Sequence, residues 1–121
     1  MNVFHFTIYG DMDGRRYGDR IPGLWIGNGY FGISSAVGGE KNKWKSFRFV
    51  VGKKYHITIQ QLKVSGNYYY EIIIDGVSKY KILNKKAKRF YGVKMYASDP
   101  WNHHPFTSHF GWISAIKTQK F

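Results

Sequence analysis

The chain has 121 residues, 43% of them hydrophobic and evenly spread, which describes one domain (1–121) with a real core and excludes a disordered tail. With no Cys and no apolar run near the ~20 residues of a membrane span, disulfide scaffolds, thiolate metal sites, Cys nucleophiles and spanning helices drop out. Nineteen Lys and Arg against 7 Asp and Glu give +12, a field that attracts polyanions such as nucleic acid, acidic or sulfated glycans, anionic membrane surfaces or acidic proteins.

In chain order the pattern is strand, turn, strand, and the 4 Trp, 10 Tyr and 9 Phe favour strands over helices. The residues after Met1 lack the charged start and apolar core of a secretory signal. An exported protein would therefore begin here after a removed signal. Residues 3–9 alternate branched and aromatic side chains, and 10–23 is polar and loop-like, with Pro22 near its end. Leu24-Trp25-Ile26 runs into Asn28-Gly29, a hairpin signal, and 30–37 returns to Gly38-Gly39. A basic loop is expected at 41–45 around Trp44, then a short strand at 47–51.

Tyr55, Ile57 and Ile59 alternate with His56, Thr58 and Gln60, the period of a strand with one buried face. Ser65-Gly66-Asn67 supplies a turn, Tyr70, Ile72 and Ile74 alternate in their turn, and Asp75-Gly76 sends the chain back through 77–83. A basic loop at 84–88, a strand at 90–97, an ordered aromatic loop at 99–110 in which Trp101 is buried, and a closing strand at 111–118 complete the pattern. No stretch keeps helical periodicity. Eight or nine strands with frequent turns predict an all-β, antiparallel two-sheet sandwich or barrel. Ile57, Ile59, Ile72, Ile74, Val93 and Met95 are expected inside, with His56, Thr58, Tyr69, Glu71 and Lys94 on the opposite faces.

The run GKKYHITIQQLKVSGNYYYEIIIDGV resembles the central hairpin of concanavalin A-like jelly rolls, the group that holds laminin G-like domains and galectins. YGDRIPGLWI, ISSAVGG and VKMYASDPW are similar to a module of multidomain secreted or surface proteins of marine invertebrates, and the likeness covers roughly residues 3–115. The resemblance implies a concanavalin A-like jelly roll in an extracellular setting, and no activity that transfers residue by residue. Two departures narrow it. The His-x-Asn-Pro-Arg and Trp-x-x-Glu strands of galectins are missing, and Trp44-Lys45-Ser46-Phe47 ends in Phe, so a galectin-type galactoside site is not expected. Laminin G-like calcium sites draw on Asp carboxylates, and Asp11, Asp13, Asp19, Asp75 and Asp99 show no such pattern.

Catalysis needs paired chemistry, and the pairs are missing. Glycoside hydrolysis uses two carboxylates ~5 to 10 Å apart, whereas Glu40 lies beside glycines and Glu71 on a strand, where a cross-strand ion pair suits it. There is no Gly-x-Ser-x-Gly elbow, and Gly10, Gly14 and Gly18 precede no helix that would cradle phosphate. An enzyme is not expected, nor a cofactor. His103, His104 and His109, with Asp99, form the best metal constellation, but adjacent His on extended backbone point apart. Asp11-Met12-Asp13-Gly14 echoes a calcium loop, then meets Arg15-Arg16 where oxygen ligands belong. An Asx turn explains it better.

Two basic groups remain. Lys41, Lys43 and Lys45, with Lys53 and Lys54, form one; Lys79, Lys81, Lys85, Lys86, Lys88 and Arg89 form the other, interleaved with Tyr80, Phe90 and Tyr91. In a meander the groups can become neighbours, and with Tyr69 they make a basic-aromatic surface suited to sulfated or acidic glycans, acidic proteins or single-stranded nucleic acid. No RNP, KH or similar signature is present, so specific nucleic-acid recognition is not expected. The same lysines also fit a solubilising surface, or edge strands protected from pairing. The leading expectation is a non-catalytic extracellular recognition or adhesion module; the rival is a structural protein that self-associates into a matrix or filament.

Overall fold

The computed structural model describes residues 2–9 and 14–97. These form eight strands: β1 (Asn2–Thr7), β2 (Gly23–Gly27), β3 (Tyr30–Val37), β4 (Glu40–Arg48), β5 (Ile57–Val64), β6 (Asn67–Ile74), β7 (Val77–Leu83) and β8 (Lys94–Ala97). The described residues contain no helix, and hence none long and apolar enough to cross a membrane. The strands pair antiparallel in two sheets, one ordered β4-β3-β2-β1-β8 and the other β5-β6-β7. Each sheet is built on tight hairpins. At Asn28 (φ 49°) and Gly29 (φ 77°), and again at Asp75 (φ 50°) and Gly76 (φ 79°), two successive residues take positive φ. That backbone twist matches the twist of the strands it joins.

The two sheets pack face to face as a sandwich around one core. Val3, Leu24, Phe31, Ile33 and Val37 of the larger sheet meet Tyr70, Ile72 and Ile74 of the smaller, with Ile57, Ile59, Tyr80 and Ile82 partly buried against them. Alternation explains the selection. Ile33 and Ile72 sit on central strands, face the partner sheet and are fully buried. A polar contact also crosses the gap, where the hydroxyls of Ser35 and Tyr70 lie 2.8 Å apart. Residues 18–22 continue the line of β2 irregularly between its neighbours: Ile8 N–H donates to Gly18 O, Ile21 N–H to Phe6 O, and Ala36 N–H to Arg20 O. Beside them the buried His5 donates from Nε2 to Asp19 O, so its Nδ1 is the acceptor for the Asn2 amide.

Five expectations need correction. Residues 41–45 are not a loop: with Glu40 and 46–48 they form the edge strand β4, paired with β3 from Tyr30↔Arg48 to Val37↔Glu40, so the short strand expected at 47–51 ends at Arg48 as the last part of β4. The strand expected at 90–97 is confined to β8. Val93 and Met95 are not core; they are 43% and 50% exposed. Among the described residues, Met95 pairs with Phe6 on β8, at the far end of a five-stranded sheet whose partner has three strands. Among the described residues, the shared core contains no residue of β8. Glu71, expected on an open face, is only 8% exposed, because central β6 gives it neighbours on both flanks. Thr58 and Tyr69 are half-buried on that same face, while His56 and Lys94 are exposed as expected. The expectations for Asp11, Asp13, the loop at 99–110 with Trp101, the closing strand, and His103, His104 and His109 lie outside the described residues.

Candidate functional site: the basic edge between the sheets

The sandwich brings the edge strands β4 and β7 together, and with them parts of both basic groups. Lys45 pairs with Ile33 and Lys43 with Ser35, so both lysines share the inward face of the larger sheet. At the rim of the core that face meets Tyr80 of β7: the Lys45 ammonium lies 4.3 Å from the centre of the Tyr80 ring, a cation–π distance. Lys43 is held by Glu40 at 3.0 Å. That hydrogen bond, with the charges of Tyr80 and Glu40 behind it, keeps the Lys43 ammonium above its ordinary range.

One end of this edge is built by a polar clamp. Asn84, buried just after β7, accepts from Gly38 N–H (2.9 Å) and Lys86 N–H (3.3 Å) and donates to Gln61 Oε1 (2.7 Å). It therefore ties the loop that carries Lys85, Lys86 and Lys88 to the β3–β4 turn and to β5. Tyr17 makes a second tie. Its hydroxyl donates to Lys86 O at 3.2 Å and accepts from the backbone of Gly39, while its ring stacks on Phe90 and lies 5.2 Å from the Lys88 ammonium. Burial pushes the Tyr17 phenol up from its usual range, and the Gly39 bond opposes that shift. The Lys86 side chain itself runs along Gly39, where an added Cβ would stand 3.0 Å from its Cδ.

Lys41, Lys43, Lys45, Lys86 and Lys88 thus belong to one edge, with Lys85 on the same clamped loop. The other named residues go elsewhere. Lys81 and Tyr69 lie on the outer face of the smaller sheet, 5.3 Å apart as cation and ring, beside Glu71. The Glu71 carboxylate accepts from Ser78 Oγ (2.6 Å) and Gln60 Nε2 (2.8 Å); these two bonds, then Lys81, hold it below the usual carboxylate range. Lys53 is drawn to Asp75 at the β6–β7 turn, 3.5 Å away. Lys54, Lys79 and Arg89 are exposed, and no described carboxylate pairs with them. Tyr17 and Asn84 were not visible as site residues in the sequence. Asn84 carried a faint signal, as an Asn that ends an alternating strand just before a lysine run; Tyr17 carried none.

Among the described residues the edge offers ammonium groups and aromatic faces, with Glu40 as the carboxylate in contact with them. Glu40 and Glu71 are each engaged by their own neighbours. Among the described residues no three His, Asp or Glu side chains gather as metal ligands. Arrangements of this kind bind anionic groups by charge and by stacking. No family model, curated protein or solved structure matches the chain.

Proposed function

We propose that this chain is a non-catalytic recognition module of the concanavalin A-like kind, set in an extracellular protein, which binds sulfated or acidic glycan chains along the β4–β7 edge. One observation carries the reading: lysines from β4 and from the loop after β7 meet along a single edge with Tyr17 and Tyr80. Glu40 is the one carboxylate among the described residues that contacts this group. From Lys41 to Lys45 the strand rises roughly 13 Å at about 3.3 Å per residue, so the lysines are attached along a line rather than at a point. A line suits a chain of repeating anionic groups better than a small anion does. Lysines on an edge strand also block strand addition, and the test separates the two roles.

The test compares retention on a heparin column with retention on a simple sulfonate exchanger of matched charge density. Specific recognition predicts stronger retention on heparin. Replacing Lys85, Lys86 and Lys88 together with Ser is expected to weaken heparin binding and flatten its salt dependence, because fewer condensed counterions are released. Stability is expected to stay within about 0.5 kcal/mol, since exposed side chains contribute little to folding. Equal retention on the two columns refutes specific glycan recognition and leaves charge alone as the cause.

A further inference from the structure

The outer face of the larger sheet, on the side away from the core, carries an aromatic depression that the basic edge does not use. Trp25 of β2, Gly32 of β3 and Ser46 of β4 are register partners in one row, so all three point outward. Because position 32 is Gly, the Trp44 indole lies flat across β3: an added Cβ there would stand 2.1 Å from Trp44 Cζ2 and 2.3 Å from Cη2. An isolated Gly in a central strand marks such a close approach. Trp44 then meets Trp25 with ring centres 5.3 Å apart and planes tilted by 46°. Together with Ile26, Gly27, Asn28 and Tyr30 these residues line an open depression of about 500 Å³.

Trp44 remains 48% exposed and Tyr30 40% exposed. Polar groups stand around it, and the Arg20 guanidinium lies 4.9 Å from the centre of the Trp25 ring. Trp44 Nε1–H donates to Ser46 Oγ at 2.8 Å, which leaves the Ser46 hydroxyl proton for an outside acceptor. Arg48 Nε donates to the Tyr30 hydroxyl at 3.2 Å and keeps the guanidinium 5.6 Å from the centre of the Tyr30 ring. No carboxylate lines the depression, and no described carboxylate pairs with Arg48.

We infer that this depression is a binding site for an acidic pyranose, its ring face on the Trp44 indole and its carboxylate on Arg48. The ligand class follows from the lining. A pyranose has an apolar C–H face and a rim of hydroxyls; the face leaves water by packing on an indole, and the rim finds Ser46 and Tyr30. The charge follows from Arg48, whose planar fork matches a carboxylate and whose Nε is already oriented by Tyr30. A purely apolar partner would leave that guanidinium without a counter-charge. The site is separate from the basic edge, and stacking rather than counterion release carries its affinity.

The experiment titrates the intact chain with trigalacturonate, and with the same trisaccharide fully methyl-esterified, by tryptophan fluorescence and calorimetry in 150 mM salt. The unmodified chain is expected to bind the acid saturably and at least tenfold more tightly than the ester. Trp44→Ala should lower affinity for the acid by tenfold or more, and Arg48→Gln should reduce it to that of the ester. Arg48→Gln alters only an exposed side chain, so it keeps the test decisive if Trp44→Ala folds poorly. The Lys85, Lys86 and Lys88 triple variant should lose heparin retention and keep trigalacturonate binding, which distinguishes failure of one site from failure of the other. The inference is overturned by any of four results: no saturable binding, equal affinity for acid and ester, unchanged affinity in Trp44→Ala and Arg48→Gln, or loss of binding in the lysine variant alone.

Discussion

Replacing Asn84 with Ala tests how the lysine loop is held. The substitution removes three hydrogen bonds, to Gly38 N–H, Lys86 N–H and Gln61 Oε1. A typical intramolecular hydrogen bond is worth about 1 kcal/mol net, which sets an upper figure of roughly 3 kcal/mol. Gly38 and Lys86 are exposed and regain water, whereas Gln61 is half-buried and recovers less. The expected loss is therefore about 2 kcal/mol, or a fall in Tm of roughly 6 to 10 °C for a chain of this size. Urea unfolding with an unchanged m-value would report it. A double-mutant cycle with Gln61→Met should give a coupling of about 1 kcal/mol, because the two side chains share one bond. Amide exchange at Gly38 and Lys86 should quicken by more than the global change, since these donors lose their acceptor even in the folded state. Stability within 0.5 kcal/mol of the parent, or undiminished protection of those two amides, would refute the clamp.

Two further perturbations probe the core. Burial pushes the Tyr70 phenol up to about 12, against the opposing pull of its bond to Ser35. Its folded pKa thus lies above the unfolded 10.0, so the stabilisation is complete below pH ~10 and is lost as pH rises through ~12, by about 3 kcal/mol in all. Denaturant midpoints measured from pH 9 to 12 should fall more steeply in the parent than in Tyr70→Phe, and parallel slopes would count against the argument. Ile72, fully buried at the centre of the smaller sheet, should cost about 3 to 4 kcal/mol when cut to Ala. A loss below 1 kcal/mol in chemical denaturation would mean that the two sheets do not share one close-packed core.

Much of the fold was legible because it is written in short-range chemistry. Asn28-Gly29 and Asp75-Gly76 tolerate the positive φ that a two-residue hairpin needs, so those turns could be read directly. The period-two pattern from Ile57 and from Tyr70 marked which side chains turn inward, and residues 30–37 and 77–83 form strands with the boundaries their flanking turns suggested. Strand β4 was misread for a physical reason. Its inward positions carry Lys43 and Lys45, which find Glu40 and Tyr80 at the rim of the core rather than apolar neighbours, so its alternation did not show in hydrophobicity.

What the residues determined by themselves was an all-β chain, its hairpins, and a cationic surplus with aromatic faces. Which strands lie under which is a matter of contacts between distant segments, and no local pattern encodes them. Among the described residues, that long-range choice left Met95 exposed at the far end of the larger sheet and buried Glu71 on a central strand of the smaller. It set Lys45 against Tyr80, 35 residues further along, and laid Trp44 across Gly32 to meet Trp25. Charge and ring content are properties of composition. The line of lysines and the aromatic depression exist only because two sheets pack and one hairpin places a glycine beneath an indole.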